Sequence, residues 1–155
     1  MNSAATPLEL DLPNEAATLQ LAARLFERLR PGQLIFLHGE LGAGKTTLVR
    51  GVLRAAGFAG AVKSPTFTLV EEYALPGLTL FHFDLYRLND PEELEWIGIR
   101  EYLRPDALCF IEWPERGAGL LPAPDLELEL RHAPPGRRAL LTARDAALLK
   151  NLCDG

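Results

Sequence analysis

The sequence predicts an α/β protein folded as a three-layer sandwich around a mixed sheet, and three observations predict it. Two runs, QLIFLH (33–38) and ALCFIEW (107–113), are apolar without alternation, the pattern of central strands covered on both faces. Two pairs of β-rich or alternating runs, TFTLVEEYAL with LTLFHFDLYRL and DLELELRH with RRALLTA, are each separated by Pro and Gly, the pattern of antiparallel hairpins. Between the first apolar run and a helical stretch stands GELGAGKTT (39–47), which fits the phosphate-binding pattern G-x-x-x-x-G-K-S/T. The fold class is therefore P-loop NTPase-like, with a sheet parallel in its centre and antiparallel at one side.

Taken in order, LELDL at Leu8–Leu12 alternates like a short strand, and Asn14 after Pro13 supplies an N-cap for a helix through EAATLQLAARLFERLR. Leu19, Ala22, Phe26 and Leu29 form its expected buried stripe. Pro31 and Gly32 end it, the first apolar strand follows, and the glycine loop opens a helix from residue 45 to about 56, with Gly57 as its C-cap. FAGAVKSP links to the first hairpin, which turns at Pro76 and Gly77. NDPEELEWIGIREYL begins a further helix: Asp90 caps it, Pro91 takes the first helical position where its missing N–H is harmless, and Glu93 completes a capping box. The second apolar strand, the loop PERGAGLLPAP, the last hairpin around APPG and a short terminal helix complete the chain.

With 155 residues, 48% hydrophobic and 24% charged, the composition suits one good core, so residues 1–155 read as a single domain. No run approaches the roughly 20 apolar residues of a membrane helix, and the N-terminal stretch lacks the basic and apolar regions of a secretory signal. The expected location is the cytoplasm. Cys109 and Cys153 have neither metal-ligand spacing nor disulfide density and are expected to be free thiols. A net charge of −5 gives no overall attraction to phosphate backbones, leaving only a local basic patch for nucleic acid.

The chemistry concentrates around the glycine loop. Gly39, Gly42 and Gly44 let the backbone curl so that successive N–H groups from Glu40 through Leu41, Ala43 and on to Thr47 face phosphate oxygens, with the helix directing its positive end at the same place. Lys45 then reaches the β and γ phosphates, and Thr46 offers a hydroxyl to Mg²⁺, a hard ion that prefers oxygen. An acidic residue at the end of a neighbouring strand is expected beside the metal, and two compete: Glu112, ending LCFIE, and Asp84, ending LFHFD. Each could instead cap a local turn. Ser64, Pro65 and Thr66, after Lys63, stand where nucleotide switches place a threonine that senses the γ-phosphate, or form a plain Ser-Pro turn. His82, between Phe81 and Phe83, reads as a solvent-side or internally satisfied histidine, and Trp96 and Trp113 read as core.

Absences narrow the class. No N-K-x-D reads guanine and no D-x-x-G marks a second switch, so ATP is favoured over GTP. A small-molecule kinase, the alternative reading, would need an acceptor pocket and an arginine-rich lid, for which only PPGRRA and PERGAG are available.

Together, GELGAGKTTLVRG, VKSPTFTLVEEY, FHFDLYRLNDPEELEWIGIREYL and IEWPERG resemble the bacterial TsaE family, over residues 34–119. The resemblance implies an ATP-binding, Mg²⁺-dependent ATPase subunit that assists the TsaB and TsaD proteins in building threonylcarbamoyladenosine beside the anticodon of tRNA. It would meet tRNA only through that complex and would not touch a membrane. By the same resemblance Lys45 and Thr46 take the phosphate and magnesium positions, Glu112 the second metal position, Asp84 an essential aspartate, and residues 64–66 the first switch. Trp113 lies beside the site, and Thr18 and Arg137 contact adenine and phosphate. The chain departs from the family at Glu40, where Asp is frequent, and at Phe67, where Tyr is frequent. With no arginine in the phosphate loop and no glutamine beside a second switch, the site is expected to be slow alone and stimulated by its partners.

Overall fold

A computed structural model describes residues 7–65, 68–150 and 152. Its elements in chain order are β1 (Leu8–Leu12), α1 (Glu15–Arg28), β2 (Leu34–His38), α2 (Lys45–Ala55), β3 (Val70–Leu75), β4 (Leu78–Asp84), α3 (Glu92–Trp96), α4 (Ile99–Tyr102), β5 (Ala107–Glu112), β6 (Leu126–Ala133) and β7 (Gly136–Ala143). Single 3₁₀ turns occupy Pro114–Gly117 and Ala146–Leu149.

Among the described residues seven strands form one sheet in the order β1-β7-β6-β2-β5-β4-β3. The apolar β2 sits between β5 and β6 and runs parallel to both, and β4 runs parallel to β5. Antiparallel pairing occurs at both edges, β3 on β4 at one and β6–β7–β1 at the other. The sequence led us to expect it at one side only. The short β1 is separated from its partner by the whole chain, so its alternation shows a strand and not which strand it pairs with.

Alternation along the central strands divides the core in two. Ile35, Leu37, Leu80, Leu108 and Phe110 face one layer with Leu25, Leu48, Val49 and Val52 of the paired helices α1 and α2. Leu34, Phe81, Phe83, Cys109 and Ile111 face the other, with Leu94 and Ile99 of α3 and α4. Burial of Cys109 pushes its thiol up to about 12, consistent with an inert core thiol; Cys153 lies outside the described residues.

Three details correct the sequence reading. Of the expected stripe Ala22 and Leu29 are buried while Leu19 and Phe26 are only half-buried, and Thr18, Leu21 and Leu25 complete the buried face, because α1 packs against α2 as well as the sheet. The helix after Asp90 is broken at Gly98, whose left-handed backbone (φ 74°, ψ 50°) ends α3 and starts α4 in a new direction. Its capping box does form: Asp90 Oδ1 accepts the Glu92 amide and Glu93 Oε2 accepts the Asp90 amide. Trp96 is 78% exposed and not core, since the break leaves it on the outer side of a five-residue helix.

Candidate functional site

The site lies at the carboxyl ends of β2, β4 and β5, where open α/β sheets place their ligands. Gly39 leaves β2 with φ 145°, and a Cβ there would meet the Leu130 carbonyl oxygen at 2.7 Å, so only glycine passes. Gly44, left-handed at φ 107°, turns the chain into α2, whose N-terminus faces the cleft. The loop is anchored from the far side of the sheet by Arg137 of β7, whose guanidinium donates to the Gly42 and Ala43 carbonyls at 3.2 and 3.1 Å.

Lys45 does not extend into solvent. Its Nζ donates to the Gly39 carbonyl, lies 3.4 Å from Glu112 Oε1 and sits 4.7 Å from the centre of the Trp113 ring. The Lys45 and Glu112 side chains are each only 5% exposed, and a lysine so buried requires a counter-charge. Glu112 ends β5 opposite Leu37 of β2 and Asp84 of β4. Its second oxygen, Oε2, is 2.6 Å from Nε2 of the fully buried His82.

The two carboxyls are pushed in opposite directions. Burial would raise Glu112, but the hydrogen bond from His82 together with Lys45 outweighs it and holds the group below the usual carboxylate range. Asp84, half-buried, is raised: burial and the neighbouring Glu112 charge exceed the help of the Tyr86 amide, which donates to Oδ1 at 3.0 Å. Neighbouring carboxyls separated in this way can take different roles in one reaction.

Opposite them, Thr46 Oγ1 and Ser64 Oγ are within hydrogen-bond distance, which brings the switch-like loop against the first turn of α2. Pro65 is buried beside it, while Thr66 and Phe67 lie outside the described residues. Lys45, Thr46, Thr47, Ser64, Asp84 and Glu112 line one cleft of about 470 Å³, together with Leu41, Gly42 and Gly44. Thr18 and Arg137 meet across a smaller pocket of about 270 Å³ against Gly44 and Thr47. Glu40 faces away, lining a separate cleft of about 460 Å³ with Trp113 and His132.

Trp113 is half core and half site: it packs against the α3–α4 layer while its ring lies beside Lys45 and 5.1 Å from that of Tyr86. It also adopts φ 56°, a backbone conformation uncommon for a bulky residue. Sequence reading missed Tyr86 and Arg87, which line the main cleft, and undervalued His82. The signal for His82 was its register: it shares the face of Leu80 and Asp84, not that of Phe81 and Phe83.

A glycine loop between the central strand and the first helix of a parallel-centred sheet, with carboxylates closing the neighbouring strands, defines a nucleotide-binding protein of the P-loop class. The family model described as "Threonylcarbamoyl adenosine biosynthesis protein TsaE" matches residues 12–140, and the chain belongs to the TsaE family. It is 46% identical over 138 residues to the tRNA threonylcarbamoyladenosine biosynthesis protein TsaE of Haemophilus influenzae, covering 86% of this chain and 87% of that protein. The Bacillus subtilis protein of the same name is 34% identical over 125 residues, 81% of this chain and 78% of its own. The crystal structure of Bacillus subtilis YdiB is similar over 98% of this chain and 97% of that one, with a TM-score of 0.80 at 28% identity. No helix among the described residues is long and apolar enough to cross a membrane.

Proposed function

We propose that residues 1–155 form one P-loop ATPase domain that binds ATP with Mg²⁺ in the main cleft and hydrolyses it in support of the TsaB–TsaD complex, as that complex forms threonylcarbamoyladenosine beside the tRNA anticodon in the cytoplasm. The observation that carries this reading is the buried Lys45–Glu112 pair beneath the glycine loop: a phosphate-binding lysine held ready against a strand-end carboxylate. The meeting of Thr18 and Arg137 beside Gly44 and Thr47 supports placing the adenosine end there.

The donors gathered in the main cleft, the Thr46 and Ser64 hydroxyls and the Asp84 and Glu112 carboxyls, are all oxygen, which fits Mg²⁺; a P-loop ion takes its remaining ligands from phosphate and water. Thr46 and Glu112 would hold it. When bound, the ion would supply charge neutralisation at the phosphate oxygens. Lys45 moves from Glu112 to those oxygens, exchanging one anionic partner for another. The loop amides and the N-terminus of α2 hold the phosphates without reorganising. Glu112, kept ionised by His82 and Lys45, suits the metal; Asp84, raised and half-exposed, suits orienting the attacking water and receiving its proton.

Phosphate release from the purified chain, alone and with TsaB and TsaD, tests the reading. Slow turnover alone and a rise on the order of 10³ with the partners is expected where groups are completed in trans, and ATP and ADP should change partner affinity by different factors. Equal turnover with and without partners would leave a free-standing ATPase, and a phosphorylated product from a panel of nucleosides and sugars would favour the kinase.

A further inference from the structure

Glu112 is approached from two sides by different kinds of group. Oε1 faces Lys45 in the cleft at 3.4 Å, whereas Oε2 is 2.6 Å from His82 Nε2, inside the sheet. His82 is 0% exposed, and its other nitrogen, Nδ1, is buried with no hydrogen-bond partner among the described residues. An ionised carboxylate only accepts hydrogen bonds, so Nε2 carries the proton. That tautomer leaves only a lone pair unmatched at Nδ1; a hydrogen there would be a buried donor without an acceptor, the costlier case.

The backbone explains how the contact arises. His82 pairs across the strands with Phe110, and Glu112 lies two residues further along β5 on the same face, the diagonal neighbour that a long side chain can reach. Among the described residues the His82 ring has no other hydrogen-bond partner, so Glu112 is the one group it engages.

We propose that His82 is a positioning residue for the metal-side carboxylate: by engaging Oε2 it fixes the rotation of Glu112 and leaves Oε1 as the one oxygen presented to whatever cation occupies the cleft. In the structure that cation is Lys45. In the proposed reading of the site it would be Mg²⁺, so this inference rests on that reading. Without His82, the carboxylate can turn about its last torsion and present either oxygen, and Mg²⁺ meets a ligand that is not pre-aimed. Partners of this kind behind a metal ligand are worth about 10–100-fold in metal affinity.

The test compares His82→Gln, His82→Asn and His82→Leu by calorimetric titration of ATP with Mg²⁺ and, separately, with a chelator in its place, alongside melting temperatures. A glutamine side-chain nitrogen reaches roughly the place of Nε2, and an asparagine nitrogen roughly that of Nδ1. The expected result is that His82→Asn and His82→Leu lose at least tenfold of the Mg²⁺-dependent gain in ATP affinity while keeping the affinity seen in chelator, and that His82→Gln restores most of that gain. Affinity lost equally in both conditions and in step with melting temperature, or Asn and Gln behaving alike, overturns the proposal in favour of a packing role. If a variant does not fold, the comparison of the remaining ones decides. A wild-type chain that binds ATP equally with and without Mg²⁺ overturns the reading of the site itself; a wild-type chain that keeps its Mg²⁺ dependence beside a His82→Leu that also keeps it overturns this inference alone.

Discussion

Asp84 and Glu112 are register partners across the β4–β5 pairing, yet one carboxyl is raised and the other lowered. The difference comes from their second partners. Glu112 has His82 and Lys45 against it, while Asp84 has one backbone amide and a view of the cleft. The pair is thus divided into a held anion and a group that takes up a proton more readily.

This division predicts different losses from removing each charge. Glu112→Gln should weaken Mg²⁺-dependent ATP binding and turnover together, because it removes a metal-side anion. Asp84→Asn should leave binding within a few-fold of the parent and cut turnover by about 10²–10⁴, the usual contribution of a positioned acid–base group. Calorimetry beside phosphate-release rates separates the two patterns, and parent-like turnover in both variants would sink the assignment.

Stability should run the other way at Asp84. A carboxyl raised in the folded state binds its proton more tightly folded than unfolded, so its contribution to stability falls as pH rises from its ordinary value of 3.8 through the raised one. At pH 7 the charge is a cost, and the nucleotide-free Asp84→Asn variant should melt at a higher temperature than the parent. The gap should narrow as the pH is lowered. Glu112, lowered in the fold, stabilises above its ordinary value of 4.5 and loses that contribution as pH falls through the depressed one, so Glu112→Gln should melt lower at neutral pH. Thermal scans across this range, in which Asp84→Asn melts below the parent at pH 7, would contradict the argument.

Residues whose chemistry is local were legible in the sequence. The glycine loop, the capping box at Asp90 and the unbroken apolar β2 each follow from a few neighbouring residues. Glu112 and Asp84 could be singled out because a carboxylate ending an apolar strand needs a partner. Which strand each faced, and that His82 reaches Glu112 rather than solvent, depended on the order β2-β5-β4, which no local pattern specifies. Arg137 stood out only by family resemblance, since its guanidinium reaches Gly42 across residues that are 95 apart in the chain. Gly98 was hidden inside a helical pattern because a single glycine there is tolerated as often as it breaks the helix.

The contact between α1 and α2 also depends on one glycine. A Cβ at Gly51 would sit 2.6 Å from Ala22 Cβ and 3.1 Å from Leu19 Cδ2, so the helices approach closer there than alanine permits. Overpacking costs about 1–3 kcal/mol against the roughly 1 kcal/mol that alanine gains in helix propensity, so Gly51→Ala should destabilise the chain by up to about 2 kcal/mol. Ala22→Gly in the same chain should recover part of the loss. Urea unfolding of the two single variants and the double variant checks this, and an unchanged or more stable Gly51→Ala means that the layers can slide apart.

Lys45 joins the stability of the empty site to its affinity for nucleotide, so one substitution should move both. Lys45→Ala removes the charge that faces the phosphates, and ATP affinity should fall by about 1.5–3 kcal/mol, the range for charged hydrogen bonds. It also leaves Glu112 with a buried oxygen facing no cation, and losing one partner of a buried pair costs about 3 kcal/mol; His82, still bound to Oε2, keeps the loss toward the lower end. Adding Glu112→Gln to Lys45→Ala removes the uncompensated charge and should restore stability, but not affinity, because the phosphates still lack their lysine. The cycle of two single variants and one double variant, followed by urea unfolding without nucleotide and by ATP titration, reads the two effects apart. A Lys45→Ala chain as stable as the parent would show that Glu112 does not depend on Lys45 in the empty site, and equal ATP affinity would remove the lysine from the phosphate site.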